Sequence, residues 1–256
     1  MKKESKTNSI AVTGLVVLIL IAILLVAVSA NYLIKREKTA ELWLAPGVST
    51  EVTQPSMTEE ELMGSVCKFY SSNTSTDVID GQIVGTMTDF GMGSGFIAFE
   101  PGLIVTAYHV VKDYETYTVS FSNGEFTSIG KLLAFDEEND IALLSFPNLE
   151  GKAVLQCGKT GNLKPGDELL SITSPGDELN KITRGQYLGH GIEIGLQKKS
   201  LYGAKLGTAP GSSGGPVFNS NNEVVGVFVS LIEEDDIDFF VPIEYAKNVY
   251  DLWKKS

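Results

Sequence analysis

Histidine and cysteine are scarce in this chain, with two of each in 256 residues. The cysteines, Cys67 and Cys157, have neither the spacing nor the His/Asp company that a zinc site needs, so no metal is implied and no cofactor is called for. Outside the cytoplasm they can form a disulfide, worth roughly 4 kcal/mol for a loop of this length in the chain-entropy model. Two buried free thiols are the alternative, and the one favoured here. Basic residues are also few, 20 Lys and Arg against 32 Asp and Glu. Residues 41–256 hold 14 basic and 30 acidic groups, a net charge of -16, which repels nucleic acid and anionic lipid head groups and excludes DNA or RNA as a partner. Long stretches of helical period are few as well. Strand signals recur at short intervals instead, with an Asn123-Gly124 hairpin turn and a second polar turn at Asn219 to Asn222, so an all-β double barrel is the consistent fold.

Charge is missing altogether from Ile10 to Ala30, 21 residues that can cross a bilayer as a helix. Signal peptides have a shorter apolar core, so residues 10–30 read as an uncleaved transmembrane signal-anchor. Residues 1–9 then form a short cytoplasmic tail and the C-terminal domain lies outside the cytoplasm, in the periplasm or at the cell surface. Lysines and arginines flank the segment evenly and do not set this orientation. Residues 31–58 read as a stalk of small, polar and proline residues. Trp43 and Leu44 stand out in it, suited either to the membrane interface or to a neighbouring subunit. Residues 59–256 form the functional domain.

What is abundant is glycine around one serine. The run Gly207 to Asn219, GTAPGSSGGPVFN, places Ser213 in a turn where missing side chains permit positive φ and close approach of a substrate backbone. The amides of Gly211 and Ser213 are positioned to form an oxyanion hole. A serine nucleophile needs an oriented base. His109 follows the apolar strand in LIVTAYHVV, whereas His190 lies between glycines with no such pattern and reads as structural or surface. Asp140 heads the apolar run Ile141 to Leu144; a carboxylate drawn into the interior there needs a partner, and the imidazole of His109 is a suitable one. Asp136, Glu137 and Glu138 read as a solvated turn.

With His109, Asp140 and Ser213 in that order, the chain resembles the chymotrypsin-like serine peptidases, most closely their HtrA/Deg branch. The segments that carry the likeness are GMGSGFIAF, TAYHVV, NDIALL, LKPGDELLSITSP, ITRGQYLG and GSSGGPVF, at spacings of 31 and 73 residues between the three polar side chains. The resemblance implies two antiparallel six-stranded β-barrels with a C-terminal helix, a His109-Asp140-Ser213 triad acting through an acyl-enzyme, polypeptide substrates, and a homo-oligomer, a trimer in that branch. It also implies a specificity pocket walled by Gly207, Thr208, Phe228 and Leu231. Gly207 stands where trypsin-like enzymes place a carboxylate for Lys or Arg, and Phe228 where glutamyl endopeptidases use histidine, so small to medium apolar side chains are expected before the cut bond. Glu233 to Asp238, EEDDID, reads as a solvated turn or an acidic rim to that pocket. The residue before the nucleophile is Ser212, which cannot make the Asp ion pair of trypsin-like zymogens. The chain stops soon after the terminal helix, Glu244 to Lys254, and the expectation is a peptidase without a PDZ domain. A binding module of the same fold that does not turn over is the competing reading.

Overall fold

The computed structural model describes residues 57–79, 82–128, 130–149, 151–194 and 197–256. The expected tail, transmembrane segment 10–30 and stalk as far as residue 56, with Trp43 and Leu44, lie outside the described residues. No helix among the described residues is long and apolar enough to cross a membrane.

Thirteen strands are described, and they fall into two sheets. The first contains β1 (Val66–Ile79), β2 (Gln82–Ile97), β3 (Leu103–Ala107), β4 (Thr116–Phe121), β5 (Phe126–Ser128), β6 (Lys131–Asp136) and β7 (Ile141–Ser145), in the order β5-β4-β1-β2-β3-β7-β6. The second is a closed barrel of β8 (Glu168–Thr173), β9 (Lys181–Ile194), β10 (Gln197–Lys205), β11 (Pro216–Phe218), β12 (Val224–Ile232) and β13 (Ile237–Pro242), in the order β10-β13-β12-β11-β8-β9. A short helix, α1 (Glu59–Met63), precedes the sheets, closed at its start by a Thr58/Glu61 capping box. A longer one, α2 (Ile243–Trp253), ends the chain.

The β-rich reading therefore holds, with one correction to the twin six-stranded barrels. Only the second half closes. The first is a seven-stranded sheet, because the hairpin at Gly124, with φ of 79°, adds the three-residue strand β5, and no pairing joins β5 to β6 at the outer edges among the described residues. Both polar turns fall where the sequence places them, between β4 and β5 and between β11 and β12.

The apolar patterning explains which strands are central. β3 is buried at all five positions and β7 at its first four, as continuous apolar runs demand of strands covered on both faces. β4 alternates and shows one face to solvent. The first sheet is filled by Phe69, Phe121 and Phe146, with Phe69 and Phe146 meeting edge to face at 6.1 Å. The barrel is filled by Tyr187, Val217, Val225 and Phe240. A third cluster joins the halves: Phe96, Val105 and Leu143 from the sheet meet Val227 and Val241 from the barrel and Ile243, Ala246 and Val249 from α2. α2 is tied to the β2–β3 turn as well, by the stacked rings of Phe99 and Tyr250 and by Lys254 and Tyr250 on Glu100.

The cysteines are both free. Cys67 is buried in β1, its thiol pKa pushed up by burial. Cys157 is exposed, which corrects the expectation of two buried thiols: it stands on an isolated bridge to Val224, outside the apolar clusters.

Candidate active site

The pairing of β3 with β7 carries the site. Ala107 lies opposite Ile141, so the next residue along each strand brings Tyr108 opposite Asp140, and the Tyr108 amide donates to the Asp140 carbonyl at 3.1 Å. The chain then turns through a single tight helical turn, Tyr108–Val110. Asp140 takes both polar groups of the next residue. Its Oδ1 accepts the His109 backbone amide at 2.8 Å, and its Oδ2 lies 2.7 Å from His109 Nδ1. Asp140 has a φ of 59°, a region aspartate tolerates better than most residues. The turn before it is shaped by Asp136, whose carboxylate accepts from the backbone and side chain of Asn139. Residues 137–140 form the expected turn with Glu137 and Glu138 exposed, and Asp136 shapes it. The side chain of Asp140 is 18% exposed and that of His109 45%, so the pair sits at the surface of the sheet. An ionised carboxylate only accepts, so with Asp140 ionised it is Nδ1 of His109 that donates in this bond.

Ser213 comes from the other half. It sits between β10 and β11 in a loop pinned at many points. Gly214 has a φ of 88°, and a Cβ there would lie 2.1 Å from Thr106 Oγ1 and 2.8 Å from the Ala107 nitrogen, so only glycine lets the serine loop press against the strand end that carries His109. The Ser94 amide donates to the Ser213 carbonyl at 2.7 Å. Ser94 Oγ donates to the Gly211 carbonyl at 2.9 Å and accepts the Ser174 amide at 2.8 Å. The buried Ser212, lacking the zymogen carboxylate, gives its hydroxyl to Thr173 at 2.9 Å.

Two amides of this loop stand out. The Pro210 carbonyl accepts the Gly176 amide at 3.0 Å, and the Ser212 carbonyl accepts the Gly215 amide at 3.0 Å. In a trans peptide the N–H points opposite to the C=O, so the amides of Gly211 and Ser213 are turned away from those partners. No acceptor pairs with either among the described residues. Gly176 is itself held by the buried Lys68 of β1, whose Nζ donates to its carbonyl.

Beside Ser213 opens a cleft of about 380 Å³ whose lining includes Pro210, Phe228, Ser230, Leu231 and Glu233. Phe228 and Leu231, expected in the specificity pocket, line this cleft. Gly207 and Thr208 are not among its lining residues; both are bound to Asp238, which sequence reasoning put in a solvated or rim segment and which is 2% exposed. Ser94, Lys68 and Asp238 are the positioning residues missed from sequence; the only signal was the serine within GMGSGFIAF. His190 lies in β9, exposed and stacked on Tyr202. Among the described residues no cluster of His, Cys, Asp and Glu is arranged to hold a metal ion.

Residues 93–227, more than half of the chain, match the family model described as trypsin-like peptidase domain. A protein of Rickettsia prowazekii (strain Madrid E) named "Probable periplasmic serine endoprotease DegP-like" is 31% identical over 185 residues, covering 68% of this chain and 36% of its own. One of Synechocystis sp. (strain ATCC 27184 / PCC 6803 / Kazusa), named as serine protease HhoB, is 32% identical over 165 residues, covering 62% of this chain and 39% of its own. The chain thus spans well under half the length of these relatives. Among solved structures, the HtrA-type protease AlgW with a decapeptide superimposes with a TM-score of 0.64 at 19% identity, over 78% of this chain and 68% of that one, a likeness of fold.

Ser94→Ala removes one hydroxyl that serves both the Gly211 carbonyl and the Ser174 amide. Leaving two buried backbone groups unpaired is expected to destabilise the protein by about 2 to 4 kcal/mol. Chemical denaturation followed by tryptophan fluorescence checks this; a loss below about 0.5 kcal/mol would show that other groups or water replace the hydroxyl.

Proposed function

Because this chain belongs to the trypsin-like peptidase family and is homologous to the DegP/HtrA serine proteases, we propose that it is a serine endopeptidase acting on exposed or unfolded polypeptide segments outside the cytoplasm. The observation that carries the reading is the double grip of Asp140 on His109, set beside a serine loop that leaves two amides without acceptors. Asp140 holds the imidazole with its proton on Nδ1. Nε2 takes the proton of Ser213 Oγ as that oxygen attacks the substrate carbonyl, and returns it to the leaving amine. The amides of Gly211 and Ser213 receive the oxyanion, at no reorganisation cost because the loop is already pinned. Water then releases the acyl group by the same base.

The name of the Rickettsia relative places that protein in the periplasm, in keeping with an extracytoplasmic peptidase domain here. Residues 10–30, uncharged throughout, would then hold the protein in the membrane. The full-length chain expressed in cells should resist extraction by alkaline carbonate, and recovery in the soluble fraction would remove the anchor from the reading.

A fluorophosphonate probe tests the chemistry directly. It is expected to modify the full-length chain at Ser213 alone, with no labelling of Ser213→Ala and a loss of about 10^4 in turnover for Asp140→Asn, whose amide leaves His109 in the wrong tautomer. Peptide mapping that finds no adduct at Ser213 would favour the non-catalytic binding module.

The cleft beside Ser213 determines what is cut. Phe228, Val229 and Leu231 give the cleft an apolar wall, so Val, Ala or Leu should precede the scissile bond. Preference among them is expected to be graded, since a methylene in an apolar pocket changes discrimination by about 1 to 3 kcal/mol. Ionic side chains should be rejected more sharply where Phe228 and Leu231 would bury them, the acid of the lining, Glu233, being exposed. Mass-spectrometric mapping of cuts in an unfolded protein decides this, and a dominant Lys, Arg or Glu signature would contradict it.

A further inference from the structure

Asp238 is a buried carboxylate that the triad does not use. It lies in β13, opposite Leu231 of β12 and Ala204 of β10. Residues directly opposite in antiparallel strands direct their side chains to the same face of the sheet, so Asp238 lies on the face where Leu231 lines the cleft. It is nonetheless only 2% exposed, because Leu206, Gly207 and Thr208 pass over it. Its Oδ2 accepts the Leu206 amide at 2.7 Å and the Gly207 amide at 3.0 Å, and its Oδ1 accepts the hydroxyl of Thr208. Three successive residues at the entrance of the serine loop are thus fastened to one carboxylate. The next residues, Ala209 and Pro210, already line the cleft.

We infer that Asp238 is a positioning residue and a masked specificity determinant: its oxygens fix the entrance of the serine loop and, being occupied, keep a negative charge buried behind the cleft residue Leu231 from meeting the substrate. The inference rests on the peptidase reading above and deepens it. A carboxylate offers about four acceptor sites. Oδ2 has filled its two with main-chain amides that no conservative substitution can remove, whereas Oδ1 depends on a single side-chain donor. Thr208 is therefore the residue that keeps the charge masked. Its hydroxyl does what an isosteric valine could not, since both fill the same space and only one donates.

This arrangement also accounts for Gly207 and Thr208 lying outside the cleft lining although they precede the serine motif. Their polar groups face inward to Asp238. Neighbouring acids behave differently: Glu233 reaches the cleft itself and Asp236 Oδ1 lies 4.0 Å from the position of a Cβ on Gly207, while neither is bonded to the loop as Asp238 is.

The test compares full-length wild type with Thr208→Val, Asp238→Asn and the double variant. Peptide pairs that differ only in Val or Lys before the scissile bond are used, together with amide hydrogen exchange at Leu206 and Gly207. In Thr208→Val the ratio of kcat/KM for Lys over Val is expected to rise at least about tenfold, the scale on which a single pocket contact discriminates. The rise should vanish in the double variant, where the unmasked oxygen no longer carries charge. An unchanged ratio in Thr208→Val, or a gain that survives Asp238→Asn, overturns the inference. In Asp238→Asn the two amides lose a charged acceptor for a weaker neutral one and should exchange about tenfold faster, while unchanged exchange overturns the positioning role. The exchange arm needs no turnover. A wild type that cuts neither peptide and takes no fluorophosphonate defeats the peptidase reading, and exchange still decides whether Asp238 holds the loop.

Discussion

Everything at this site hangs on the grip of one carboxylate on one residue. Asp140 meets both the backbone nitrogen and the ring nitrogen of His109, so rotation of the imidazole and displacement of its main chain are opposed by the same group. Two bonds from one partner define an orientation where one bond would define only a distance. That grip exists because β3 and β7 are paired in a register that ends at Ala107 and Ile141. A slip of one residue would turn the side chains to the opposite face and separate the pair. The buried Thr106 pins β3 in that register, because its hydroxyl donates to the Ser94 carbonyl at 2.7 Å and a slip of β3 would leave it without that acceptor.

The serine loop is held by a different logic, in which backbone groups rather than side-chain packing are the anchors. Ser94, Gly176 and Phe228 each bond to its main chain, Ser174 donates to the Ser94 hydroxyl that holds the Gly211 carbonyl, and Lys68 of β1 secures Gly176. The loop belongs to the barrel, but Ser94 and Lys68 belong to the first sheet. The two halves are therefore joined at the point where geometry matters most, in addition to the apolar cluster around Phe96, Val227 and Val249.

Much of this was legible in the sequence, and the divide follows the range of the interactions. His109, Asp140 and Ser213 sit at ends of apolar runs or among glycines, features set by residues within a few positions of them. Phe228 and Leu231 could be assigned to the cleft because their strand position follows from local alternation and the likeness to known peptidases. Asp238 could not, because its burial depends on Leu206 to Thr208 passing over it, more than thirty residues earlier in the chain; read locally, five acids in six residues describe a solvated turn. The count of strands in the first sheet failed for a related reason. Whether edges close is decided by the lengths of β5 and β6 and by their twist, which leave no pattern in composition. Cys157 was misplaced because burial of a cysteine is a tendency of the residue type, and here the surrounding chain runs along an edge.

The division of the site between halves bears on when the site exists at all. His109 and Asp140 precede Ser213 by 104 and 73 residues, and the barrel that carries the serine loop is closed through β12 and β13, with α2 packed in one cluster with Leu143 and Val105 of the first sheet. Neither half alone therefore holds all three polar side chains. The three side chains can act together only while both halves are folded, so any local opening that parts the sheet from the barrel also dismantles the candidate site.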